Sequence, residues 1–129
     1  MVEALTFGNV EAKTMVYLEP LVLADVVRVL PDPLPASPFV RVLLTGTRRL
    51  NLSLLEHRLT LECWGGSDAE AEALARLTYG HMGAWRTDSV WVPDGEDAFI
   101  GGPYADVDPD TKRPRYTMTA NVRQAVDHL

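Results

Sequence analysis

The stretch HRLTLECWGGSDAEAE, residues 57–72, changes its period halfway along. Over 57–64 it alternates strictly. Leu59, Leu61 and Cys63 fall on one face, and Thr60, Glu62 and Trp64 on the other, the pattern of a strand with one buried side. Two glycines then end the alternation. Ser67, followed three residues later by Glu70, is a capping box at the head of an Ala-rich run. The spacing predicts a helix over 67–84, with Ala69, Ala73, Leu77 and Gly80 as its apolar stripe and Leu74 and Met82 flanking it. Asp68, Glu70 and Glu72 in the first turn suit the positive end of the helix dipole. One strand, one tight turn and one capped helix thus anchor the middle of the chain.

Hydrolase elbows and phosphate loops share this layout, so its chemistry has to be weighed. An elbow requires GxSxG and a phosphate loop GxxxxGK[ST]; neither spacing is present. Three acids at the start of the helix would repel a bound anion. A nucleophilic cysteine needs a lowered pKa and a partner base. Cys63 instead shares a face with two leucines, and a buried free cysteine behaves as a small hydrophobe. His57 lies six residues away on the same strand, roughly 20 Å at 3.3 Å per residue, too far to activate it. The stretch therefore reads as scaffold.

Working outward, residues 9–22 read as a helix capped by Asn9, with Val10, Thr14, Tyr17, Leu18 and Leu21 near one face. Pro20 predicts a kink or an early end. A short strand is expected at 25–30, followed by an extended loop at 31–38, where four of eight residues are proline. Residues 39–46 form the next strand, with Val40, Val42 and Leu44 on its core side. Residues 47–56 read as a loop or irregular edge. Strands follow at 88–93 and 98–107, then a turn at 108–114. A final strand at 115–124 carries Tyr116, Met118, Ala120 and Val122 on one face. The order implies an α+β fold: a mixed, mostly antiparallel sheet with two helices packed on one face, in a single domain over 1–129.

Bulk properties narrow the function classes. A chain of 129 residues buries roughly 65–70% of its unfolded surface, enough for a core without staples. Twelve basic against eighteen acidic residues give a net charge of −6, which argues against a sequence-reading nucleic-acid binder. A single cysteine forms no internal disulfide and fits a reducing compartment. No run approaches the ~20 apolar residues of a membrane span, and the N-terminus lacks the pattern of a signal peptide. Synthesis in a cytoplasm, with no membrane partner, is the expectation.

The remaining chemical candidates weaken when examined. Asp106, Asp108 and Asp110 imitate the start of a calcium loop, but Thr111 and Thr117 stand where that loop needs Gly and Glu. An acidic hairpin turn, with Pro109 and Pro114 fixing the backbone, accounts for them. His57, His81 and His128 have no ligand spacing, so no metal or other cofactor is expected. Arg48 and Arg49 form a small basic pair suited to an acidic partner surface. Trp85 and Trp91 suit the core, whereas Trp64, on the polar side of its strand, is a candidate interface anchor.

Two segments, PFVRVLLTGTRRLNLSLLEHRLTLECWGGSDAEAEALARL and GGPYADVDPDTKRPRYTMTANVR, carry a further signal in their order. It comprises a V-x-V-x-x-T-G strand end, a strand ending in ECW, a small-residue turn, an A-x-A-x-x-L-A helix and a late GGPY–DPDT–RPRY hairpin. In this order the chain resembles the tail terminator (tail completion) proteins of long-tailed, non-contractile bacteriophages, especially those of actinobacterial hosts. It departs from the common pattern in having a single Gly46 before Thr47.

The resemblance implies a non-enzymatic virion subunit, made in the host cytoplasm, that forms a homo-hexameric ring at the head-proximal end of the tail tube. Such a ring ends polymerisation of the major tail tube protein and meets the head-tail connector or stopper protein. DNA passes through its lumen without specific binding, which an acidic subunit suits. The expected reaching loops are 31–38, 47–56 and 105–114. Arg48, Arg49, Trp64, Asp106, Asp108, Lys112 and Arg113 are the candidate contact residues. A head-closure protein is one alternative. A small ligand-binding domain or enzyme is another, for which the sequence offers no residues to line a buried polar pocket.

Overall fold

The computed structural model describes residues 7–126. His128 lies outside them. Helix α1 spans Val10–Val22, and the Asn9 side chain accepts the Ala12 N–H at 3.0 Å. Its buried row is Val10, Thr14, Leu18 and Val22; Tyr17 is half-buried and Leu21 exposed. The helix does not end early. Pro20 sits in the last turn, and the carbonyl it leaves without a donor belongs to exposed Val16. Leu23, left-handed at φ 54°, then closes the helix by donating to the Glu19 carbonyl at 3.1 Å.

Strand β1 (Asp25–Val27) is shorter than expected and runs parallel to β2 (Phe39–Asn51), with Val26 beside Val40. The Pro-rich segment connects them. The expected loop at 47–56 is instead the end of a long hairpin: β2 continues to Asn51 and β3 runs from Leu54 to Trp64. Register shifts between Leu44 and Gly46, and between Arg49 and Asn51, break the alternation and hid the strand from a period-two reading.

Helix α2 spans Asp68–Gly83. Ser67 Oγ accepts the Glu70 N–H and donates to the Glu70 carboxylate, both at 3.2 Å, so Ser67 caps the helix, while Glu70 meets the Ser67 hydroxyl and not its backbone N–H. The buried row is Ala71, Leu74, Ala75, Thr78 and Met82 rather than the expected stripe through Ala69, Ala73 and Leu77. In an Ala-rich helix several rows are almost equally apolar. Contact with the sheet selects the row.

Strand β4 (Val90–Trp91), one 3-10 turn at Gly95–Asp97, β5 (Phe99–Ala105) and β6 (Arg115–Ala125) complete the chain. The sheet order is β1-β2-β3-β6-β4. Strand β5 also pairs with β6, so β4 and β5 share one flank of that strand. All pairings except β1–β2 are antiparallel. Both helices cover one face. There Val40, Val42, Leu59, Leu61, Cys63, Met118, Ala120 and Val122 pack with Leu18, Leu74, Ala75 and Met82. Tyr17 joins the helices, with its ring stacked on Trp85 at 4.5 Å and its hydroxyl donating to the His81 carbonyl at 2.6 Å. At Gly102 (φ 88°) the β5 backbone lies so close to Thr117 and Met118 that no Cβ fits. This is the α+β architecture expected from the sequence. No helix among the described residues is long and apolar enough to cross a membrane.

Candidate interaction surface

The face of the sheet away from the helices is charged along its length, because every second residue of β2, β3 and β6 points there. Two clusters occupy it. At the Trp64 end, Phe39 and Trp64 stack at 5.5 Å between their ring centroids. Two guanidiniums lie on the rings: Arg113 over Phe39 at 5.9 Å and Arg115 over Trp64 at 5.1 Å. Arg115 pairs with Glu62 at 3.5 Å, Asp106 at 3.0 Å and Asp108 at 3.7 Å. Glu62 also meets Arg41 at 3.5 Å.

The roles expected for Trp64 and Arg113 are therefore corrected. Trp64, only 1% exposed, is covered by its own chain and is not a surface anchor. Its cross-strand neighbours, Phe39 on β2 and Arg115 on β6, pack on its ring, which the alternation of β3 does not reveal. Arg113 is half-buried and donates to the carbonyls of Gly65 and Pro35, so it pins the Pro-rich segment instead of reaching outward. Asp106 accepts from Arg115 and from the Thr117 hydroxyl. Asp108 accepts from both the backbone N–H and the hydroxyl of Thr111. These bonds, from the hydroxyl and then the amide, hold its carboxyl below the usual range. Lys112 remains exposed, at φ 61°. Asp106 and Asp108 belong to a hydrogen-bonded turn, and no His, Cys, Asp and Glu group among the described residues could hold a metal ion.

The second cluster surrounds a half-open hollow of about 630 Å³ towards the hairpin end. Arg48, Arg58, Arg123, Glu56, Asp97, Asn121 and Ile100 line it. Glu56 accepts from Arg48 at 2.8 Å and from Arg123 at 3.1 Å, whereas Arg58 has no ion pair among the described residues. No polar pocket is expected from the sequence, and this hollow departs from that expectation. Glu56 and Arg58, and Asn121 and Arg123, alternate along their strands, and that period was the available signal. His57, also at the hollow, is buried and fully bonded. The Gln124 amide donates to the Gly8 carbonyl at 2.8 Å, so its oxygen accepts from His57 Nε2 at 2.7 Å. Nδ1 is left to accept the Thr47 hydroxyl at 2.9 Å.

Arg48 and Arg49 are exposed, as expected, roughly 30 Å along β3 from the Trp64 cluster. Arg49 closes the hairpin turn by donating to the Asn51 and Leu52 carbonyls. Cys63 is fully buried, and burial pushes its thiol up to about 12, with the Thr78 hydroxyl pulling the other way. Such a thiol is inert at neutral pH.

Seven of the twelve large apolar side chains exposed among the described residues fall at three places. Ile100, Tyr104 and Val107 lie on and just beyond β5, Leu50 and Leu52 at the hairpin turn, and Leu23 and Leu77 beside the helices. The last two border a groove of about 500 Å³ that also takes in Ala73, Pro38, Asp25 and Glu70. No protein-family model matches the chain, and no curated protein matches it either.

Proposed function

We propose that this chain is a structural subunit of a long-tailed bacteriophage. In this reading it forms a homo-hexameric ring that ends the tail tube and joins it to the head connector. The observation that carries the reading is the gathering of exposed apolar side chains on β5, at the hairpin turn and beside the helices. Monomeric proteins seldom leave such side chains grouped, and a subunit contacting several neighbours needs more than one adhesive patch. The order of the terminator-like motifs between residues 38 and 123 adds to it. In the assembled ring the major tail tube protein lies on one side, the connector or stopper protein lies on the other, and DNA passes through the lumen.

Deleting the gene from a producing phage tests this. Full heads separate from tails, with tails unterminated or abnormally long, is the expected outcome. Joined particles with tails of fixed length overturn the reading. Heads that leak DNA, beside tails of normal length, favour a head-closure role instead.

The charged hollow favours a second reading, a site for an anionic small molecule, because three guanidiniums there face two carboxylates. Titration of the purified chain with inorganic phosphate, followed through the arginine side-chain resonances, tests that reading. Saturation that is lost in Arg58→Ala supports it.

A further inference from the structure

The hairpin turn and the helix-side groove have complementary chemistry. The turn presents Leu52, 76% exposed, and Leu50 beside the cations Arg48 and Arg49. The groove is lined by Leu74, Ala73, Leu23 and Leu77 and by the acids Asp25 and Glu70. Leu23 is 88% exposed and has no side chain of its own chain over it. A hollow of about 500 Å³ accommodates one or two leucine side chains.

The groove cannot take its own turn. Pro38, on its border, immediately precedes β2, and Asn51 ends that strand. Thirteen residues of strand, twelve steps of about 3.3 Å, put the turn roughly 40 Å from the groove. An apolar knob and an apolar groove on opposite ends of one molecule meet only between molecules, and the contact is then head-to-tail.

We propose that the 50–52 turn of one copy seats in the groove between α1 and α2 of the next, with Leu52 against Leu23 and Leu77 and Arg49, held at the Leu52 carbonyl, facing Asp25 and Glu70. The proposal names the self-contact of the ring reading and rests on that reading for its biological role. The contact itself is a property of the purified chain.

Cysteine cross-linking tests it, and the inert native Cys63 leaves the background low. Leu52→Cys and Leu77→Cys are prepared as separate full-length proteins, mixed and oxidised mildly. Leu52→Cys mixed with Val16→Cys is the control, since Val16 is 77% exposed on α1 but outside the groove. The expected result is at least tenfold faster covalent pairing with Leu77→Cys than with Val16→Cys, falling several-fold at high salt as the opposite charges are screened. Equal rates in the two mixtures overturn the proposal. So does a wild-type oligomer whose mass is unchanged by Leu52→Asp and Leu77→Asp, provided both variants keep the wild-type circular dichroism. That last result leaves the ring reading standing with a different contact, whereas selective cross-linking beside normal tails in the gene deletion removes the ring reading alone.

Discussion

Gly65 and Gly66 are neighbours in sequence, yet the structure assigns them opposite tolerance to a methyl group. A Cβ on Gly65 falls 2.5 Å from the Ala71 amide nitrogen and 3.0 Å from both the Ala71 Cα and the Ser67 carbonyl oxygen. All three are backbone atoms, so relief requires moving the start of α2 away from β3. Gly65 is also held by its N–H to the Pro114 carbonyl at 3.2 Å, and its own carbonyl accepts from Arg113. Overpacking of this kind costs about 1–3 kcal/mol. Disturbing the Ser67 cap adds about 1 kcal/mol. Gly65→Ala is therefore expected to lose about 3 kcal/mol, roughly 10 °C in melting temperature for a chain of this size.

On Gly66 the added Cβ meets only the Glu70 Oε1, at 3.1 Å, and the Ala36 carbonyl, at 3.6 Å. The first is the end of an exposed, flexible side chain that can rotate away. Reduced freedom of the unfolded chain contributes about 0.4–1 kcal/mol in the variant's favour. Gly66→Ala is thus expected within about 1 kcal/mol of wild type. Urea denaturation followed by tryptophan fluorescence measures both. Equal losses in the two variants would refute the close approach of helix and turn on which the reasoning depends.

Trp64→Ala is expected to cost about 3–5 kcal/mol by emptying the site between Phe39 and Arg115; a stable variant defective only in assembly would contradict its burial. Thiol reagents should label native Cys63 only as fast as the protein unfolds. Because its folded pKa is raised from 9.0 to about 12, its contribution is fully present below 9 and is lost as pH rises towards 12. Denaturation across that range should show an extra decline in wild type that is absent from Cys63→Ala. The depressed Asp108 carboxyl has the opposite sign: its contribution is present above the ordinary carboxylate pKa and is lost as pH falls through the folded value. Asp108→Asn should flatten that part of the acid-stability curve. Calcium at millimolar concentration should leave the melting temperature unchanged, since a ligand stabilises only the state it binds; a rise abolished by Asp108→Asn would restore the metal reading.

What the sequence determined by itself was local. The alternation of Leu59, Leu61 and Cys63, the Ser67 cap and the Asn9 cap each depend on residues within a few positions, and each formed as its spacing required. Together with the order of the elements they specified the α+β class. Only the tertiary structure decided which row of the Ala-rich α2 is buried, since the rows differ little in hydrophobicity and contact with the sheet selects among them. It also decided that 47–56 is the end of a paired hairpin, because bulges shift the alternation by one residue where pairing still holds. Trp64 is the clearest case. Its position on the polar side of β3 was legible, but its burial depends on Arg115, 51 residues later, folding back across its ring. The charged hollow is likewise assembled from β2, β3, β5, β6 and the Gly95–Asp97 turn; Glu56 and Arg58, and Asn121 and Arg123, alternate visibly along β3 and β6, and they converge with the other residues only when the sheet forms.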